Sequence, residues 1–465
     1  MRQHLLLLVF LVTTTGGCQL GKKEIESPFQ PAIQPYAADI RQVKPGDGIR
    51  QAGFTGEPGD TVDQAAPGSS LSTGNPPGLE ELENRVLESS PAISEAEAKL
   101  EALRGKLVQA GLPPNPTAGV NGEDINEGGG AGRYGVYFGR KIVRGGKLEL
   151  AQSVVAAEIN VAEQQLELVR QKSLTDVRQE FFAILVAQER IKRIDSLVEL
   201  TKRAVDISSR LVVAKETPGT SLLQAEMEFE NSLVLAKRAQ NQLVRAKRRM
   251  AALIGEDRLP FDSVQADFKS MVKATTFENS LDELLASSPE LTTLVAEIEK
   301  ERRNLARQQV QPVPDVTWQT TVQFDSVTDD VVTGFQVGMP IPCYDRNQGA
   351  ISNARKKMLA AERRVEKKTN DLRQRLATVF QEYRDAKVQV EAFENRLLPK
   401  AKETLQLITL GYEQGEVQFL PWLTAQRTYS QTQQNYLDQI QLLCQKYWQL
   451  RGLLLDSSLS DQMSR

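Results

Sequence analysis

The sequence predicts a mainly α fold with a small β part: long antiparallel helical hairpins, tandemly duplicated, joined to four strands suited to a membrane wall. Three observations lead there. A series of landmarks recurs at a fixed spacing of roughly 200 residues, the signature of an internal repeat. The stretch from Lys147 to Glu216 contains neither Gly nor Pro and is rich in Leu, Ala, Glu, Gln, Lys and Arg, all good helix formers. Two pairs of short segments alternate apolar and polar residues, as strands with one buried face do.

Residues 1–17 read as a signal peptide. Met1-Arg2 supplies a positive start, Leu5 to Val12 is an unbroken apolar run, and the small residues Thr15, Gly16 and Gly17 lead to Cys18. The run is too short for a permanent membrane span but suits a cleaved secretory signal. Cys18 after a Gly-Gly pair resembles a bacterial lipobox, whose thiol is acylated; the other reading is an ordinary signal with an incidental Cys. In such signals an Asp after the Cys favours the inner membrane, and Gln19 stands there instead. Residues 18–77 are rich in Pro, Gly, Ser and Gln, as in Asn75-Pro76-Pro77-Gly78. Such composition buries too little apolar surface to order itself, so a lipidated flexible tether is expected.

A first repeat then spans 78–256, a linker 257–280, a second repeat 281–456 and a tail 457–465. Ser89-Ser90-Pro91 returns as Ser287-Ser288-Pro289, and Pro114-Asn115-Pro116 as Pro312-Val313-Pro314, at the same spacing in both copies. In each copy the order is helix, strand, strand, long helix, turn, return helix. At 1.5 Å per residue the run from Lys147 extends about 100 Å. Its counterpart runs from Ala350 to Leu410 with a kink expected at Pro399. The turns fall at Thr217-Pro218-Gly219 and between Gly411 and Gly415, and the return helices end near Gly255 and Gly452.

The most informative strand is Val316 to Phe324. One face carries Val316, Trp318, Thr320, Val322 and Phe324, and the other Thr317, Gln319, Thr321 and Gln323. Its partner puts Phe335, Val337 and Met339 against Gln336 and Gly338; in the first copy Tyr134, Val136 and Phe138 oppose Gly135, Tyr137 and Gly139. Apolar faces backed by uncharged polar groups fit a barrel wall between lipid and water. A soluble hairpin with one face on a core shows the same alternation, but two copies behind a signal peptide, each feeding a rod of about 100 Å, favour the wall. Four strands cannot close a barrel, and open edges in lipid leave backbone groups unpaired at several kcal/mol each. The barrel must therefore be shared among copies.

Composition excludes other chemistry. His4, inside the signal, is the single histidine, so the mature chain lacks imidazole for general-base work or zinc ligation. Besides Cys18 there are Cys343 and Cys444, too few for a disulfide framework, and they are expected to be unpaired. Net charge is −3, from 57 basic and 60 acidic residues, with no block of one sign to favour nucleic acid. No nucleophile-base pair, metal cluster or phosphate cradle is visible, so neither enzyme activity nor a cofactor is expected. Mean hydropathy is −0.36, and after the signal no apolar stretch is long enough for a transmembrane helix.

Over about residues 79–456 this pattern resembles the TolC-type outer-membrane efflux channels. The resemblance rests on Gly411-Tyr412-Glu413-Gln414-Gly415 followed by Leu423 and Ala425, the two Pro-x-Pro strand entries, Gly145-Gly146-Lys147, and the duplication. It implies a homotrimer in the cell outer membrane: one shared barrel, continuous with a helical tunnel through the periplasm. The subunit would be a passive conduit for substrates exported by an inner-membrane pump through a periplasmic adaptor. It places Gly411, Tyr412 and Gly415 at one adaptor-facing tip and Pro218 and Gly219 at the other, and turns Val316, Trp318, Val322, Phe324, Phe335 and Val337 toward lipid. At the first tip Lys215-Glu216-Thr217-Pro218 replaces the Gly-led turn. The alternative is a periplasmic coiled-coil lipoprotein with a scaffolding role and no pore.

Overall fold

The computed structural model describes residues 76–125, 132–266 and 274–455. The signal segment, Cys18, nearly all of the tether, residues 126–131 of the first hairpin loop and the C-terminal tail lie outside them.

The first half begins with two helices, α1 (Leu79–Ser89) and α2 (Pro91–Gly111). They are separate because Pro91 drives the residue before it out of the helical region: Ser90 is extended, with ψ 125°. Strands β1 (Thr117–Glu123) and β2 (Arg133–Ile142) follow, then α3 (Lys147–Val213) and α4 (Gly219–Ile254). The second half repeats the order. Helices α5 (Phe277–Ser287) and α6 (Pro289–Val310) are broken at Ser288-Pro289 in the same way. Strands β3 (Val316–Asp325) and β4 (Asp330–Gly338) lead to α7 (Gln348–Ala392), a π-helical turn (Phe393–Leu397), α8 (Leu398–Glu413) and α9 (Phe419–Arg451). Met339 lies just beyond β4.

The 67 residues of α3 make a rod of about 100 Å. Along α4 the residues turned to α3 are Ala225, Ser232, Ala239 and Ala246, one every seventh position and all buried. Small side chains at that interval let two long helices run close together. Ser232 Oγ and Thr201 Oγ1, buried at this seam, share a hydrogen bond of 3.0 Å. In the half nearer the turns the helices lie in the order α4, α3, α9, α8; nearer the sheet, α2 and α6 pack on α3, and α7 on α6.

Pro399 acts one turn earlier than a simple kink would. It occupies the second position of α8, and the chain widens to a π-helical turn over the five residues before it. Proline has no N–H and its ring crowds the carbonyl four residues back; the wider turn relieves both.

The main core sits at the waist. Leu82 and Val86 of α1 meet Phe181 and Phe182 of α3, Met250 and Ile254 of α4, and Tyr436 and Ile440 of α9. The segment after α4 closes this cluster with Leu259, Phe261 and Val264, and Gln188 holds it by accepting from Val264 N at 3.1 Å and donating to Val264 O at 3.2 Å. A second core lies beneath α5, where Leu284 meets Leu372, Leu376 and Tyr383 of α7 and Tyr447 of α9.

Candidate functional site: wall, joint and tips

The four strands form one antiparallel sheet in the order β1-β2-β3-β4. Directly paired residues share a face, so the register decides whether the separate alternations line up. Val120, Val136, Val322 and Thr333 form one row; Ala118, Phe138, Thr320 and Phe335 the next; Arg140, Trp318 and Val337 another. Above them Tyr134 pairs with Phe324, which in turn pairs with Val331. Apolar residues thus make one continuous face, and Phe138 and Trp318 touch diagonally, ring centroids 5.7 Å apart. Much of it is bare: Val120 is 82 % exposed and Phe335 72 %. The opposite rows read Thr117, Gly139, Gln319, Gln336 and Gly119, Tyr137, Thr321, Gly334, all uncharged.

On that polar face Gln323 is buried, only 8 % exposed, rather than open. It lies over Gly135, where a Cβ would stand 2.6 Å from the Gln323 Cγ and 2.2 Å from the Val322 carbonyl oxygen; only glycine fits. At the far end of the sheet Arg133 Nε donates to Asp325 at 3.0 Å, and Ser326 Oγ bonds the Gly132 backbone, joining the two hairpins.

At the near end an ion cluster ties strands to helices across the repeats. Asp315, just before β3, accepts from Lys147 Nζ at 2.8 Å and Arg144 N at 3.2 Å, and lies 3.1 Å from Lys141 Nζ. Burial alone would raise its carboxyl, but these donors outweigh it and hold the pKa down at about 2. Sequence reasoning missed this residue, because its partners come from the other repeat.

The two helical tips have the same backbone. At the first, Glu216 N donates to Leu211 O; at the second, Glu416 N donates to Gly411 O. Both are six-to-one bonds around a left-handed residue. That residue is Gly415 in the second tip (φ 79°) and Lys215 in the first (φ 61°), so the first tip makes the glycine turn without glycine. Pro218 caps α4 and Gly219 opens it, both exposed at the turn.

Gly411 and Tyr412 instead close the last turn of α8. Tyr412 is 2 % exposed, so its ring points inward and supports the tip rather than presenting itself at the surface. It stacks on Trp422 at 5.5 Å, touches Phe419 at 6.0 Å, and shares a 2.8 Å hydrogen bond with Ser208 of α3. Burial pushes its phenol pKa up, against the Ser208 hydrogen bond. Val213, Leu410 and Leu420 are exposed close by. Sequence reading named the turn glycines but not Trp422, Phe419 or Ser208; the aromatic spacing Tyr412, Phe419, Trp422 was the signal available.

No group of three or more His, Cys, Asp and Glu able to hold a metal occurs among the described residues. Cys343 is exposed and Cys444 buried, and both are free; burial drives the Cys444 thiol up to about 12. No described helix is long and apolar enough to cross a membrane.

A family model for outer membrane efflux proteins matches residues 280–454, which take in the second hairpin and its long helices. The second half of the chain thus carries the pattern of the outer membrane efflux proteins. Among its relatives, the cobalt-zinc-cadmium resistance protein CzcC of Cupriavidus metallidurans is 25 % identical over 353 residues, covering 74 % of this chain and 82 % of that one. Solved structures agree in fold: CusC, with a TM-score of 0.69 at 15 % identity over 82 % of this chain and 92 % of that one, and the outer membrane protein VceC of Vibrio cholerae, 0.66 at 16 % over 81 % and 94 %. The open outer-membrane channel MtrE of Neisseria gonorrhoeae scores 0.65 at 17 %, over 82 % and 89 %. The family match, the CzcC relative and these folds together make this chain an outer-membrane efflux channel component.

Proposed function

We propose that three copies of this chain close one twelve-strand barrel in the outer membrane and continue it as a helical tunnel. Through that tunnel a periplasmic adaptor and an inner-membrane pump discharge their cargo. One observation carries the reading: a mainly apolar face, with Arg140 only toward its helix-side end, runs through the register of all four strands, while β1 and β4 each leave an edge unpaired among the described residues. Pairing β4 of one copy with β1 of the next is antiparallel and keeps the strand number even, as closed barrels require. The ten residues of β2 and of β3 match the span of a tilted membrane strand.

The subunit does no chemistry. Energy enters at the pump, and the channel supplies a path and a gate that opens when the adaptor binds one arrangement of the tips more tightly than another. Pro218, Gly219 and Gly415, with the exposed Val213, Leu410 and Leu420 beside them, form the adaptor-facing surface, and Tyr412 and Gly411 hold it in shape. Cys18 carries the lipid anchor. The name of the CzcC relative brings divalent metal ions forward as cargo. A metal ion would then be a transported substrate without a resident site in the tunnel.

The deciding experiment is purification of the mature protein from outer membranes, followed by gel migration with and without heating and by conductance in planar bilayers. A heat-sensitive oligomer that conducts supports the channel. A stable water-soluble monomer would favour the scaffold.

A further inference from the structure

The four sides of α4 have different neighbours at the waist, and one of them is basic. Ala239 and Ala246 face α3. Leu243, Met250 and Ile254 face α1 and the segment after α4, in the waist core. Lys247 points to the same side, 3.7 Å from Asp262 of that segment. Successive residues turn by about 100°, so Arg245, two positions from Lys247, points nearly the opposite way. Arg238 and Arg249, at seven and four residues from it, share its side.

Residues 237–249 carry six basic side chains and no acidic one. The matching stretch of α9, residues 437–449, has only Asp438 and Lys446. Arg249 meets Glu180 of α3 at 3.1 Å, and burial raises the Glu180 carboxyl against that pull. Arg238 and Arg245 are exposed and make no ion pair among the described residues. Glu180 stands halfway along α3, roughly 50 Å from either end, out of reach of lipid headgroups and of the tips.

Which side of the wall this is follows from two contacts. The side bearing α1 and the segment after α4 is already covered by the chain's own elements, which places it outside the tube. On the arginine side, nearer the tip, Arg427 of α9 reaches Glu228 of α4 at 2.6 Å across the intervening α3. Side chains from two helices flanking a third meet over it on the concave side of a curved wall. The concave side is the inside.

We propose that Arg238, Arg245 and Arg249 line the tunnel at its waist and make that stretch favour anionic solutes over free cations, a property that rests on the channel reading. Three copies place nine guanidinium groups around one narrow section, three of them paired with Glu180, which leaves the section net positive. A net fixed charge in a low-dielectric passage concentrates counter-ions and excludes co-ions. A metal cargo would cross this section as a neutral or anionic complex rather than as a bare cation.

The test uses the full-length protein in planar bilayers under a potassium chloride gradient. Arg238→Glu with Arg245→Glu, both at exposed positions, should shift the chloride-to-potassium permeability ratio toward potassium by at least about threefold. Lys247→Gln on the covered side should leave it in place. A conducting double variant with an unshifted ratio overturns the belt, whereas a silent wild type counts against the channel. A second measurement judges the belt even then. With Cys343→Ser as background, Gln242→Cys, exposed and one turn from Arg238 and Arg245 on the side of Glu228 and Arg249, is modified in the detergent-solubilised protein by a sulfonate or a trimethylammonium thiol reagent. The sulfonate should be favoured about tenfold over its ratio on a free thiol, and the preference should collapse in the double-Glu variant and at high salt. An unchanged reagent ratio rejects the belt.

Discussion

Phe335 and Gln336 are neighbours in β4, both exposed in the single chain and turned to opposite faces. They provide a matched pair for testing the wall. Phe335 pairs with Thr320, the fifth of ten residues in β3, which places it near the middle of the membrane. An arginine on the lipid face at that depth costs about 2–4 kcal/mol. The three sites of a shared barrel are far apart and add nearly independently, so Phe335→Arg should cost roughly 6–12 kcal/mol per assembled channel. That is comparable to the whole stability of a typical domain. Gln336→Arg introduces the same charge and length one residue away, on the face directed to water, where a charge stays hydrated and alters selectivity rather than assembly. The assay is the fraction of protein recovered from outer membranes as a heat-sensitive oligomer, with total expression as reference. Phe335→Arg should nearly abolish it and Gln336→Arg should retain most of it. Equal recovery of both variants, high or low, refutes the assignment of the faces. The pair at 322 and 323 is less clean, because Gln323 is packed over Gly135 and an arginine there would disturb packing as well as charge.

Three further outcomes are expected. Asp315 has its pKa lowered from 3.8 to about 2; a depressed carboxylate stabilises above its unfolded pKa and loses that contribution as pH falls through the folded one. Asp315→Asn should therefore cost about 2 kcal/mol at pH 7 in denaturant unfolding of the detergent-solubilised protein. Its difference from wild type should shrink below about pH 4 and vanish near pH 2; a constant difference would show that shape rather than charge is responsible. Lys215→Gly should stabilise the first hairpin by roughly 0.5–1 kcal/mol through relief of the left-handed backbone, with Gly415→Ala destabilising the second, both read by hydrogen exchange at the tips. Cys18→Ser should remove the lipid mass from the mature protein yet leave it in the outer membrane, because the barrel holds it there; unaltered mass in the variant would mean that Cys18 is not acylated.

Periodic features were readable from the residues alone. The first long helical run has no Gly or Pro to interrupt it, and strand alternation is a local property, so β1 and β3 begin where their Pro-x-Pro entries place them. What the sequence hid depends on residues brought together from different repeats. Asp315 looks like any loop carboxylate until the fold sets it between Lys141 and Lys147, 168 residues or more away along the chain. Gln323 alternates like a water-facing residue, but register puts it against Gly135 on another hairpin. Lys215 shows the opposite failure. Lysine carries no turn signal, but the six-to-one hydrogen bond and the pull of two packed helices hold it in the conformation that glycine adopts at the other tip. The burial of Tyr412 was likewise invisible, because its partner Ser208 belongs to the first hairpin.

The same contrast explains why the two repeats have diverged while keeping one backbone. At the tips the second hairpin supplies the large side chains, Tyr412, Phe419 and Trp422, and the first supplies the space, Ala204, Ala225 and Ser208. At the waist α4 has small residues toward α3 and arginines on an open side, where α9 buries Tyr447 and packs Trp448 against the two cores. Identical repeats would pack bulk against bulk at one seam and leave a gap at the other, since close-packed interiors tolerate neither. Complementary repeats also break the symmetry of the wall, so that each copy presents one kind of edge, α4, and one other, α7 and α8. A ring built from unlike edges closes head to tail around an axis, with the number of copies set by the curvature that each chain contributes.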